Sequence, residues 1–267
     1  LALVRATSFK KEVESLTFSK NCILSSQCKK ADTLECNRIC GAYVAIHGLS
    51  GESGRIAAAS IPADYRRVTI ENSPVRANQP HAYKLLDAYA ATFSRQFSGG
   101  EERIKSAYLW SESPGTGKTT TACALLNTYL ITHFIGMVKQ GKNALLRPVY
   151  FLDVNEWQTT FNRITLSVGE EAKKKVSDDF QKRMDTAMNT PFVVLDDIGV
   201  RGASEAFRSY LHAVINARVT NKLPTVYTSN LPVSELATLF GEQRLADRVR
   251  DMCVEILFVG QSKRGKR

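Results

Sequence analysis

The sequence predicts an α/β fold in which helices sandwich a parallel β-sheet around a phosphate-binding loop. Three observations predict it. Short apolar strand segments alternate with helical patterns along the last two-thirds of the chain; a Gly-Thr-Gly-Lys-Thr run joins one such strand to the next helix; and a second apolar strand ends in two aspartates. Strands buried on both faces read as continuous apolar runs, and helices of this length between them suit parallel crossovers.

Residues 1–20 mix charge with Val13, Leu16 and Phe18 and read as a short helix or arm. A cysteine-rich stretch follows, then Gly48, Gly51 and Gly54 in a Gly/Ser loop. Pro62, Pro74 and Pro80 mark residues 61–80 as an ordered linker. The expected organisation is therefore a small N-terminal domain over 1–60, a linker over 61–80 and a nucleotide-binding domain over 81–267. Ala82, Leu85, Leu86, Tyr89 and Phe93 share a helical face. Ser106–Trp110 is a strand, and Ala122, Leu125, Leu126, Tyr129 and Leu130 form the apolar stripe of the helix after its loop. Residues 149–154 read as a strand, Trp157, Phe161 and Ile164 mark a helix, and the charged residues 170–187 are helix-compatible. Residues 192–195 are a fully apolar strand; Phe207, Leu211, Val214 and Ile215 give another helix. Thr225–Ser229 and residues 254–259 supply the last strands.

With 43% apolar and 23% charged residues among 267, the composition is that of an ordinary globular protein. The formal charge of +10 favours polyanionic partners such as nucleic acid. No apolar run comes near the ~18 residues of a membrane span, and the N-terminus becomes charged too soon for a secretory signal. A cytoplasmic protein without a membrane partner is expected.

Pro114, Gly115, Thr116, Gly117, Lys118, Thr119 and Thr120 lie where a phosphate loop works, between strand and helix. Glycines let backbone N–H groups approach phosphate oxygens, and the helix N-terminus adds its dipole. Lys118 is expected to meet the β- and γ-phosphates of ATP, and the Thr119 hydroxyl to ligand Mg²⁺. Glu112 stands where the usual pattern has its first glycine. The strand ending in Asp196 and Asp197 is the matching half: Asp196 for Mg²⁺, Asp197 to polarise the attacking water. Asp197 is one methylene shorter than the glutamate common at this position, which predicts slow turnover.

Cys22, Cys28, Cys36 and Cys40 are separated by five, seven and three residues. Four clustered thiolates in a chain without a signal peptide point to metal before disulfides, and a closed Zn²⁺ site would stabilise a segment too short for a large core. His47 is an alternative ligand. An iron–sulfur cluster would use the same thiolates, and unligated thiols are the third possibility.

Several stretches carry a family resemblance. Ile61-Pro62-Ala63-Asp64-Tyr65-Arg66-Arg67 with Thr69-Ile70-Glu71-Asn72, Leu195-Asp196-Asp197-Ile198-Gly199, Thr228-Ser229-Asn230-Leu231 and the arginine-bearing residues 241–250 together resemble the DnaC/DnaI-type helicase loaders, a branch of the AAA+ ATPases. The likeness covers roughly residues 36–259, and Trp110-Ser111 ahead of Pro114-Gly115-Thr116-Gly117 is similar to phage replication proteins. The resemblance implies a sensor for the γ-phosphate at Asn230, with Ser229 or Thr228 as alternatives. It implies an arginine finger offered to a neighbouring subunit, Arg248 first and then Arg244. It also implies a core without a C-terminal helical lid. The function implied is an ATPase that delivers a hexameric replicative helicase of the DnaB type onto single-stranded DNA, self-associates through its ATP sites and couples hydrolysis to release. Residues 1–60 would face the helicase; the lysines at 173–175 and the basic tail at 263–267 either touch DNA or are solvated. A transposition helper ATPase that binds duplex DNA and recruits a transposase is the alternative, and a nucleotide-gated adaptor that barely hydrolyses ATP is a third class.

Overall fold

The computed structural model describes residues 18–97, 103–199, 203–240 and 243–260. The expectations for residues 1–17, for Gly241 and Glu242 and for the tail at 261–267 fall outside them.

After short 3₁₀ turns at Ser19–Asn21 and Ser25–Gln27, the chain forms α1 (Gly41–His47), α2 (Gly54–Ala58) and α3 (Pro80–Ala91). Then come β1 (Ser106–Trp110), α4 (Lys118–Lys139), β2 (Val149–Asp153), α5 (Val154–Leu166), α6 (Glu170–Asn189) and β3 (Phe192–Asp196). The order ends with α7 (Glu205–Thr220), β4 (Thr225–Ser229), α8 (Leu236–Phe240), α9 (Gln243–Met252) and β5 (Cys253–Leu257). The short helices α1, α2 and α8 are not legible in the sequence; α2 begins at Gly54, where the Gly/Ser run reads as a loop.

The five strands form one parallel sheet in the order β2-β3-β4-β1-β5. The chain leaves β1 for the far edge and steps back through β3 and β4. This puts β4 beside β1, and the carboxyl ends of the strands are where such sheets bind ligands. Strand residues alternate between two cores. Ala107, Leu109, Phe151, Val194, Val226 and Ile256 pack with α3 and α4, while Tyr108, Leu152, Val193, Leu195 and Tyr227 pack with α5, α6, α7 and α9. The sheet is thus covered on both faces. On the second face, Trp157 stacks on Phe180 at 4.8 Å and meets Phe207 edge-on at 5.1 Å, which locks α5, α6 and α7 together.

Ile23, Leu24, Ile46, Ile56, Ala59, Ile61 and Ile70 belong to the same core as Leu86, Leu125 and Val194. The cysteine-rich segment and the proline-marked segment therefore lie against the α4 side of the sheet. Arg55 fastens α2 there through the Ala144 and Leu145 carbonyls at 2.8 and 2.9 Å, and the Phe151 N–H on β2 donates to the Ala59 carbonyl at 2.9 Å. By length and composition α4, with 22 residues, is apolar enough to cross a membrane, which a search for uninterrupted apolar runs misses; 61% of its apolar window is buried in this core.

Candidate nucleotide site

The loop between β1 and α4 closes on itself because Gly115 and Gly117 adopt left-handed backbone, φ +73° and +103°. Gly117 is the residue before α4, and a Cβ placed on it would lie 2.5 Å from Val75 Cγ1. Only glycine fits there. Lys118 opens α4; its ammonium is buried and donates to Asn230 Oδ1 at 2.8 Å and to the Ser113 carbonyl at 3.3 Å. The Thr116 hydroxyl is buried without a hydrogen-bond partner.

Asp196, at the end of β3, accepts from the Thr119 hydroxyl at 3.0 Å and from the Thr228 hydroxyl at 2.7 Å. Burial pushes its carboxyl up to about 6, against the pull of these two donors, with the Asp153 and Asp197 charges adding to the rise. Asp197 sits at φ +57°, an uncommon conformation for a residue with a side chain. Its N–H donates to Thr228 Oγ1 at 2.8 Å, and the next N–H, of Ile198, donates to the Thr228 carbonyl at 2.9 Å. Thr228 on β4 thereby bridges both aspartates. The Asp197 carboxylate accepts from Asn155 Nδ2 at 2.7 Å.

The structure thus brings Gly117, Lys118, Thr119, Asp196, Asp197, Thr228 and Asn230 to one edge of the sheet. Asn155 and the bridging role of Thr228 are additions to the sequence reading. Asn155 lies two residues past the end of β2, on the carboxyl edge that delivers Asp196, but local sequence does not reveal its partner. Arg244 and Arg248 both lie on α9, but in different settings. Arg244 is exposed. The Arg248 guanidinium is held within its own chain, by Asn216 Oδ1 at 2.8 Å and Thr220 Oγ1 at 3.2 Å on α7.

The donor set fits ATP with Mg²⁺. A buried lysine, a helix N-terminus behind two left-handed glycines and an unpaired threonine hydroxyl suit a polyphosphate. Thr119 and Asp196, already in contact, are the hard oxygen ligands that Mg²⁺ selects.

The metal expectation at the cysteines finds no support among the described residues. Cys22, Cys28, Cys36 and Cys40 line one small cavity of about 30 Å³, but no three His, Cys, Asp or Glu among the described residues converge as metal ligands. The wide spacing lets the segment fold on its own backbone turns, such as Cys22 N–H to the Ser19 carbonyl at 3.1 Å and Cys36 N–H to the Thr33 carbonyl at 3.0 Å. His47 is not a spare ligand either: it is buried, stacks on Tyr43 and accepts the Ile23 N–H at 3.2 Å, while burial lowers its pKa to about 4.

Residues 154–266 match a family model described as IstB-like ATP binding protein; the match takes in Asp196, Asp197, Asn230, Arg244 and Arg248 and begins after the phosphate loop. The replicative helicase loader DnaC of Escherichia coli strain K12 is 26% identical over 161 residues, which is 60% of this chain and 57% of that protein. The replicative helicase loader DnaC of Buchnera aphidicola subsp. Baizongia pistaciae is 27% identical over 157 residues, 59% of this chain and 55% of the relative. The chain therefore spans little more than half the length of these curated relatives. Crystal structures titled DnaI and DnaC helicase loader superpose with TM-scores of 0.52 and 0.51 at 20% identity, covering 79% and 74% of this chain and all of theirs. The parallel sheet, the phosphate loop and these likenesses agree: the chain is similar to IstB- and DnaC-like ATP-binding proteins.

Proposed function

We propose that the chain is an ATP-dependent loader that delivers a hexameric replicative helicase of the DnaB type onto single-stranded DNA, with ATP hydrolysis coupled to its release. The single observation that carries the nucleotide half is the contact of Lys118 with Asn230 beside the Thr119–Asp196 pair. Lys118, Asn230, Thr119 and Asp196, brought together from three separate elements, would serve there as phosphate-binding cation, polar sensor and the two Mg²⁺ ligands. Pro114 to Thr120 would hold the phosphates of ATP, and Thr119 with Asp196 would hold Mg²⁺, which supplies charge neutralisation at the phosphates. Asp197, steadied by Asn155, would orient and polarise the attacking water. Its short side chain supports slow or partner-stimulated turnover.

The helicase half rests on the likeness to proteins named replicative helicase loaders. On this reading residues 1–60 meet the helicase, and subunits associate through their ATP sites, each offering Arg244 or Arg248 to the next. The exposed lysines at 173–175 on α6 offer a basic surface to DNA in the bacterial cytoplasm. The test is a pull-down of the cognate replicative helicase with and without ATP, alongside a helicase-loading assay on single-stranded DNA, with Lys118→Ala as control. Association that depends on Lys118 supports the proposal; no association and no effect on loading overturns it. The IstB-like family match favours one second reading, a helper ATPase that binds duplex DNA for a transposase. Tighter binding to duplex than to single-stranded DNA at one fixed salt concentration selects it.

A further inference from the structure

Gln79 lies outside every element that carries a nucleotide motif, yet it is buried and its side chain reaches the phosphate loop. It is the residue before α3. Its amide is spent on two partners. Oε1 accepts the Val259 N–H at 3.2 Å, and Nε2 donates to the Val259 carbonyl at 2.7 Å and to the Thr116 carbonyl at 3.4 Å. Val259 follows β5, so this one side chain continues the sheet's edge pairing and ties it to the loop after β1.

The rest of the same segment points the same way. Val75 occupies the space that a Cβ on Gly117 would need. Ser73 Oγ accepts from the Tyr83 hydroxyl at 2.5 Å, and that hydroxyl lies 3.0 Å from Thr121 Oγ1 in the first turn of α4. Residues 73–79 are thus a strap fastened to the C-terminal half of the phosphate loop and, through Tyr83, to the first turn of α4.

We infer that Gln79 is a positioning residue for the phosphate loop, setting its affinity for the triphosphate. In a trans peptide the C=O and the next N–H point in opposite directions. Drawing the Thr116 carbonyl towards Gln79 turns the Gly117 N–H to the opposite side, where it is free to meet phosphate. Without that tether the Thr116–Gly117 peptide rotates, and the N–H groups of the nest no longer share one direction. Gln79 touches no reacting atom; it acts through Thr116.

This inference rests on the ATP-binding reading above, and the experiment separates the two. Wild type and Gln79→Met, which keeps the length and loses both polar atoms, are titrated with Mg-ATP and with Mg-tripolyphosphate, which lacks the base and sugar. Both ligands are expected to bind the variant on the order of tenfold more weakly, about the worth of one hydrogen bond. The KM for ATP is expected to rise with kcat within about twofold, because Lys118, Asp196 and Asp197 are untouched. A variant that melts at a lower temperature yet binds tripolyphosphate like wild type makes Gln79 purely structural and overturns the inference. Gln79→Asn keeps a polar head group and serves where Gln79→Met fails to fold; one methylene shorter, it loses the Thr116 carbonyl and predicts the same selective loss. Wild type that binds neither ligand refutes the ATP-binding reading itself, and this inference falls with it.

Discussion

Gly117→Ala tests whether the geometry of the phosphate loop governs nucleotide binding. Gly117 holds φ +103° and ψ +12°, and left-handed backbone costs a residue with a Cβ about 1–2 kcal/mol. The added carbon would also lie 2.5 and 2.7 Å from the two γ-carbons of Val75, well inside contact distance. Val75 cannot simply retreat, because Ser73 and Gln79 pin the strap on either side of it. Such overpacking costs about 1–3 kcal/mol. The loop conformation is thus disfavoured by roughly 2–5 kcal/mol, and even the lower bound weakens ATP about thirtyfold. The two contributions can be separated. Val75→Ala removes both γ-carbons and relieves the steric part while leaving the backbone part. A double-mutant cycle on ATP affinity, read by titration of a fluorescent ATP analogue, is expected to show a favourable coupling of about 1 kcal/mol or more. Effects that add to within ~0.5 kcal/mol, or a Gly117→Ala protein that binds ATP like wild type, would refute the reasoning.

Three further outcomes follow from single contacts. Asn155→Ala removes the donor to Asp197; single-turnover hydrolysis should change several-fold with ATP affinity unaltered, and an unchanged rate removes Asn155 from the site. Arg218→Met deletes a fully buried guanidinium that serves the Ala187, Thr190 and Pro224 carbonyls and Thr225 Oγ1 at 2.6–2.8 Å. The stranded acceptors should cost about 3–5 kcal/mol in urea denaturation, and a loss below about 1 kcal/mol contradicts that accounting. His47, buried and lowered to about 4, resists protonation in the folded chain but takes up a proton near 6.5 when unfolded. Stability is therefore full above about 6.5 and falls as the pH drops towards 4, by up to about 3 kcal/mol. In urea denaturations at pH 7.5 and 4.5, His47→Gln should flatten this dependence, and an equally steep profile in that variant assigns it to other groups.

The parts of the site that come from one continuous stretch were legible. Gly117-Lys118-Thr119 and Asp196-Asp197 each carry their chemistry and their place on a strand end in local sequence, and β1 and β4 were placed to the residue. The partnerships between stretches were not. Nothing in the pattern around residue 155 says that its amide meets Asp197, because that depends on β2 pairing with β3 in a register that sets Asp153 beside Asp196. Gln79 was hidden for a similar reason: a single glutamine before a proline-led helix is ordinary, and its partners lie 37 and 180 residues away. The cysteines are the converse case. Their crowding was legible and they do line one cavity, but a metal site requires side chains aimed at a common point, and spacings of five, seven and three residues do not fix that aim.

The two arginines of α9 were indistinguishable by sequence, and the fold separates them by what each must give up. Offering Arg248 to a neighbouring subunit requires breaking its hydrogen bonds to Asn216 and Thr220, each worth about 1.5–3 kcal/mol where the donor is charged, less what water returns at a partly exposed site. Arg244, exposed one turn earlier, loses only solvation. If Arg248 is the residue donated, the α7 contacts oppose assembly, and Asn216→Ala should tighten ATP-dependent self-association measured by sedimentation. If Arg244 is donated, Asn216→Ala leaves association unchanged and Arg244→Ala abolishes it. A packing role for the Arg248 contacts favours the second outcome: they join α9 to α7, and the same helix carries Leu245 and Val249 into the core. Under that outcome Arg248 would hold α9 in place so that Arg244 projects from it, and the order of preference drawn from the sequence would reverse.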